Sequence, residues 1–247
     1  MRNIKLTVSY EGTDFHGFQV QPGLRTVQGE LELALQKLTG EPVQVIGSGR
    51  TDAGVHAWGQ IVNFHTASRI PTEKWAIALN VNLPQDLVVR AAEEVPESFH
   101  ARFDAVGKIY RYQIDRGMFP DVFARRYAWH VPYLLDIEKM RKAAEYLVGE
   151  LDFTSFCNAG TPLEDKVREI QQVTLVERGN LLSITVQGSG FLWNMVRIIA
   201  GTLTDVGKGR IDPERIPEML QALDRTKAGV TAPAHGLTLI EVLYPRT

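Results

Sequence analysis

The order in which hydrophobic periodicities follow one another constrains this chain more than any single motif. Ile4, Leu6, Val8 and Tyr10 alternate with Lys5, Thr7 and Ser9 over residues 3–10, the period of a strand with one buried face. From Thr26, a suitable N-cap, Val27, Leu31, Leu35 and Leu38 recur at helical spacing, and Gly40 stands where such a helix stops. Residues 43–46 and 60–66 read as two strands, 72–79 as a helix and 87–92 as a further strand. The order is β-α-β-β-α-β, a split βαβ arrangement that lays two helices on one face of an antiparallel sheet. It returns downstream, with strands at 108–115, 167–176, 181–187 and 237–243, helices at 137–148 and from Phe191, and insertions at 116–135 and 205–236. The expectation is an α/β (α+β) chain of two similar βαββαβ-type domains, 1–104 and 105–247. Their sheets should be mixed, mainly antiparallel and flanked by helices, with an active-site cleft between the domains.

Composition narrows the functional classes. The chain is 247 residues long, 44% hydrophobic and 23% charged, as an ordinary globular protein is. Its 27 basic and 29 acidic side chains leave a formal charge of −2, which excludes holding nucleic acid by bulk positive charge but not a local basic groove. Residues 1–104 carry nine basic and twelve acidic groups, a balance of −3, and residues 105–247 carry eighteen and seventeen, a balance of +1. Over 108–126, Lys108, Arg111, Arg116, Arg125 and Arg126 face only Asp115 and Asp121; by charge alone this reads as a solvated strand and turn. Cys157 is the single cysteine, and no C-x-x-C or H-E-x-x-H occurs, so neither an internal disulfide nor a structural metal is expected. No run approaches ~20 consecutive apolar residues, and the N-terminal residues enter a strand pattern rather than an apolar signal core. A cytoplasmic protein off the membrane is expected.

Three segments hold candidate chemistry. Gly47 to His56 concentrates glycines around Arg50 and Asp52, letting backbone bend and a ligand approach closely. It matches neither a phosphate loop nor a dinucleotide fingerprint, and read alone Asp52 is as well explained as the cap of a turn. The second segment, Phe191 to Ala200, has eight apolar residues in ten; Asn194 and Arg197, three apart, form a polar stripe on it. An arginine in such surroundings needs a carboxylate, a phosphate or a route to solvent, because burying its charge alone costs several kcal/mol. In the third segment Tyr110 and Tyr112 share one face of a strand led by Lys108, with Arg111 between them: a pattern that stacks a base or simply packs a core. The six histidines form no ligand spacing.

With these segments in view the chain closely resembles the TruA family of bacterial tRNA pseudouridine synthases. The resemblance rests on residues 10–19 (YEGTDFHGFQ), 49–57 (GRTDAGVHA), 99–105 (FHARFDA), 108–112 (KIYRY), 190–197 (GFLWNMVR) and 232–237 (APAHGL), in family order along almost the whole chain. Phe18, where many relatives have Trp, and Trp193, where Tyr or Arg is common, depart from the pattern. The resemblance implies isomerisation of uridine to pseudouridine in the tRNA anticodon stem-loop, without cofactor, by a homodimer whose tRNA spans both subunits. It assigns the reacting carboxylate to Asp52, adding to ribose, adding to uracil, or removing a ribose proton to give a glycal. Each route needs the ionised form. By the same resemblance Arg197 is the counter-charge that holds Asp52, Arg50 lies near the position vacated by the flipped base, Tyr110 stacks on that base and takes part in the final proton removal, and Leu237 supplies an apolar wall against water. Lys108, Arg111, Arg125 and Arg126 are the expected RNA contacts.

Two other readings compete. A doubled βαββαβ sheet with exposed aromatics also builds non-catalytic RNA-binding modules, but their aromatic-rich signature strand is missing, and a module has no use for a lone Asp in a glycine-rich bend. A hydrolase using Asp52 as nucleophile would need a second acid or base beside it.

Overall fold

In the computed structural model, which describes residues 1–245, the opening alternation becomes β1 (Arg2–Tyr10), and its inward Ile4, Leu6, Val8 and Tyr10 are all buried. The helix expected after Thr26 is α1 (Val27–Thr39): the Thr26 hydroxyl accepts the Gly29 amide at 3.3 Å, and the helix stops at Gly40, φ 79°. A two-residue β2 (Ile46–Gly47) leads through the glycine-rich bend to β3 (His56–Thr66), then α2 (Trp75–Asn80) and β4 (Leu87–Val95). β1 pairs antiparallel with both β3 and β4, with Ile4 opposite Phe64 and Leu6 opposite Val62. Val27, Leu31, Ala34 and Leu35 of α1 and Trp75 and Leu79 of α2 are buried, and Trp75 meets Phe64 edge to face at 5.2 Å. Burying each such side chain fully contributes about 1.5–3 kcal/mol.

The later stretch begins with β5 (Gly107–Asp115), followed by β6 (Trp129–His130), α3 (Ile137–Glu145), β7 (Gly149–Asp152), β8 (Val167–Arg178), β9 (Leu181–Gly188), α4 (Met195–Gly207) and α5 (Ile216–Gln221). β5, β9, β8 and β7 run antiparallel in that order, and β6 lies parallel to the end of β5. Twelve of the thirteen residues of α4 are buried, Arg197 being the exception. A last strand, β10 (Leu237–Leu243), follows.

The chain thus forms a mixed α/β fold of mostly antiparallel strands flanked by helices, in two compact units. One comprises residues 1–106 and the segment from Leu239 onward; the other runs from Gly107 to Thr238. β10 therefore completes the first unit beside β3, in the order β4-β1-β3-β10.

Several expected elements differ in their bounds, and for three of them the local reason is plain. The strand at 43–46 shrinks to β2 because Val45 is tied to α1 instead: its N–H donates to Glu32 at 3.0 Å and its carbonyl accepts from Gln28 at 3.2 Å. The helix read as reaching 148 ends at Glu145, where Leu147 and Val148 close turns and Gly149, φ 119°, starts β7. The helix read from Phe191 begins at Met195, since Asn194 takes a left-handed φ of 62° in a turn closed by the Met195 N–H donating to the Leu192 carbonyl at 3.1 Å.

Candidate active site

Within the first unit, the bend from Gly47 to His56 is gripped by the preceding loop. Phe18 N–H donates to the Thr51 carbonyl at 3.1 Å, Gly54 N–H to the Phe15 carbonyl at 3.3 Å, and Gly12 N–H to Nδ1 of the buried His56 at 2.8 Å. Gly12 lies so close to Val55 that any Cβ there would run into the Val55 carbonyl. Gly17, φ 88°, would place a Cβ 2.8 Å from the Thr51 carbonyl oxygen. The Phe18 ring is seated over Gly47, where a side chain would collide with it. Beneath the bend, Ser48 Oγ donates to Gln60 Oε1 at 2.6 Å, Gln60 Nε2 donates to the Gly49 carbonyl at 3.1 Å, and the Tyr10 hydroxyl meets Thr51 Oγ1 at 2.8 Å. Ser48, Thr51, Val55 and His56 are buried, Arg50 is exposed and Asp52 is half-buried. The fold thus anchors the bend at Ser48, Thr51, Val55 and His56 and leaves the two charged residues less covered.

In the second unit three of the motifs interlock in the same fashion. Arg197 Nε donates to the Ala232 carbonyl at 2.8 Å, Ala232 N–H returns a bond to the Arg197 carbonyl at 3.1 Å, and Arg197 Nη1 donates to Asn194 Oδ1 at 2.8 Å. Tyr112, fully buried, donates its hydroxyl to the Pro233 carbonyl at 2.8 Å, and Gly236 lies against its ring. Tyr110, on the same face of β5, is 8% exposed and meets Phe191 edge to face with centroids 5.1 Å apart. Leu237, at the head of β10, is buried. Of the basic residues, Arg111, Arg125 and Arg126 are exposed and Lys108 is half-buried. Arg116 is engaged within the unit, its guanidinium donating to Glu177 at 2.8 Å and to the Gly179 carbonyl at 3.1 Å.

Residues 6–104 and 143–245 match the family model described as tRNA pseudouridine synthase. The chain belongs to the tRNA pseudouridine synthase family. Within that family it is similar to proteins named tRNA pseudouridine synthase A. The one from Brevibacillus brevis is 56% identical over 244 residues, covering 99% of this chain and 100% of the relative. Those of Bacillus pumilus and Bacillus subtilis are 55% and 52% identical, each covering 98% of both chains.

For a member of the tRNA pseudouridine synthase family, the side chains overlooked in the sequence are inward-facing polar ones. Gln60 and Ser48 are completely buried; Asn194, which the sequence did mark, orients Arg197 from a left-handed turn rather than from a helical stripe. Only the buried side of Gln60 carries a sequence signal: it stands among apolar neighbours in a strand that is otherwise a core strand.

Proposed function

We propose that this chain isomerises uridine to pseudouridine in the anticodon stem-loop of tRNA, without a cofactor. What supports this reading, beyond family membership, is the presentation of Asp52: a carboxylate half-buried on a bend whose neighbours Ser48, Thr51, Val55 and His56 are anchored inside. In the reaction the bond between uracil N1 and ribose C1′ breaks, the base turns over, and C5 bonds to C1′ while its hydrogen leaves to water and N1 regains a proton. Asp52 is the reacting carboxylate. Tyr110 receives the flipped uracil, whose extraction from the stack costs a few kcal/mol, and Phe191 steadies its ring. Arg50 lies by the vacated position, Leu237 excludes water from the detached sugar, Arg197 contributes the positive charge of the machinery, and Lys108, Arg111, Arg125 and Arg126 contact RNA phosphates.

The same reading makes the protein a cytoplasmic homodimer. Met118, Phe119, Val122 and Phe123 are exposed together beside Arg125 and Arg126, an apolar surface of the kind that a second subunit covers. No helix among the described residues is long and apolar enough to cross a membrane.

Release of tritium from tRNA transcript carrying 5-tritiated uridine tests the activity, because only the exchange of bonds at C5 liberates that hydrogen. Asp52→Asn is expected to bind tRNA and release none. Near-normal release by this variant would remove Asp52 from the chemistry, and no release by the parent chain would overturn the assigned reaction.

A further inference from the structure

Under the bend that presents Asp52 lies a chain of four buried polar side chains to which the proposed chemistry gives no part. Tyr10, Ser48, Thr51 and Gln60 are each at most 7% exposed and come from β1, the bend and β3. Gln60 uses its whole hydrogen-bonding capacity here. Oε1 accepts from Ser48 Oγ at 2.6 Å and from Ile61 N–H at 3.2 Å; Nε2 donates to the Gly49 carbonyl at 3.1 Å and to the Tyr10 hydroxyl at 3.4 Å. A backbone carbonyl only accepts and a backbone N–H only donates, so Gly49 and Ile61 fix which way the amide faces. The Tyr10 oxygen therefore accepts from Gln60, and its proton is free to reach Thr51 Oγ1, 2.8 Å away. The link from β3 through the Tyr10 hydroxyl thus reaches Thr51, the residue that immediately precedes Asp52.

The geometry points to Gln60 and Tyr10 as positioning residues: from the core they set the bend so that Asp52 and Arg50 are held in place, without themselves touching substrate. This rests on the reading of Asp52 as the reacting carboxylate. Two facts favour positioning over generic core stability. Three of the links end on the bend itself, at Ser48, Gly49 and Thr51, which bracket Arg50 and precede Asp52. The first unit also holds a buried amide pair whose hydrogen bonds lead away from the bend: Asn63 Nδ2 donates to Asn3 Oδ1 at 3.0 Å, and Asn3 Nδ2 donates to the Phe99 carbonyl at 2.8 Å. That pair is a built-in control of comparable chemistry.

The experiment compares Tyr10→Phe, Gln60→Met and Gln60→Glu with Asn3→Leu, recording thermal midpoint, tRNA affinity and single-turnover tritium release well below every midpoint. Gln60→Glu matters because it keeps the shape and the acceptor while deleting both donors. Misplacing a reacting group by a fraction of an ångström lowers rate far more than binding, so the Tyr10 and Gln60 variants are expected to lose on the order of tenfold to a hundredfold in single-turnover rate. Their tRNA affinity should stay near that of the parent. Asn3→Leu should lower the midpoint yet keep the rate. The inference is overturned if folded Tyr10→Phe and both Gln60 variants keep the parental rate, or if Asn3→Leu loses rate as much as they do. Failure of the underlying reading looks different: Asp52→Asn then releases tritium like the parent chain, whatever the Gln60 variants do.

Discussion

Tyr110 and Tyr112 show what single residues do when the sequence presents them as twins. Both point to the same face of β5, and alternation cannot tell a base-stacking tyrosine from a core one. Their surroundings differ. Burial pushes the Tyr112 phenol well above its ordinary range, against the lowering influence of the Arg197 charge, and its hydroxyl is committed to the Pro233 carbonyl. Tyr110 instead keeps a rim in solvent beside Phe191. Tyr112→Phe is therefore expected to cost about 1 kcal/mol of stability, measured by urea unfolding, with turnover intact. Tyr110→Phe is expected to keep tRNA affinity and lose turnover by about a hundredfold, the scale of a lost general base, and equal turnover in the two variants would contradict the assignment. Asp52 is a residue whose chemistry was not legible alone: its composition of neighbours suits a turn cap as well as a site. What favours the site reading is the family resemblance that the six motifs carry together.

At the scale of elements, periodicity was a faithful guide wherever tertiary packing and local preference agree. β1, α1, β5 and β9 sit where their apolar spacing predicts, and the Thr26 cap of α1 forms as expected. Thr26→Ala should lower unfolding free energy by about 1 kcal/mol, read from urea titration, without altering tritium release. The misread boundaries share a cause: a side chain or a left-handed residue takes over the backbone. Glu32 and Gln28 claim Val45 before a strand can, and Asn194 holds a left-handed turn that an apolar run alone would continue as helix. Such contacts join residues that are remote in sequence or depend on one backbone angle, and hydrophobic spacing records neither.

At the scale of the whole molecule, the small net charge of −2 conceals an uneven distribution, with Arg111, Arg125 and Arg126 exposed while Arg116 is bound to Glu177. The exposed Phe119 and Phe123, at 77% and 89%, place the proposed dimer contact on the same segment. Phe123→Asp should convert a sedimenting dimer to monomer, and a parent chain that sediments as monomer would end that proposal. Alkali should destabilise the fold for a separate reason. Burial pushes the Tyr10 phenol up from 10.0 to about 12, and Tyr112 and Tyr244 upward as well. The folded state holds these protons more tightly than the unfolded one, so stability is level below pH 10.0 and falls as pH rises through about 12. Tyr10 alone steepens the fall by up to about 1.4 kcal/mol per pH unit; urea midpoints at about pH 9 and about pH 11 measure it. The return of β10 to the first unit also fixes an order of events during synthesis. A ribosome delivers the N-terminal unit first, yet its β3, beside β1 and the short β2, gains its remaining neighbour only when residues from Leu239 onward emerge. The second unit is contiguous, running from Gly107 to Thr238 between the two pieces of the first. The first unit therefore gains its last strand only after the whole of the second unit has been synthesised.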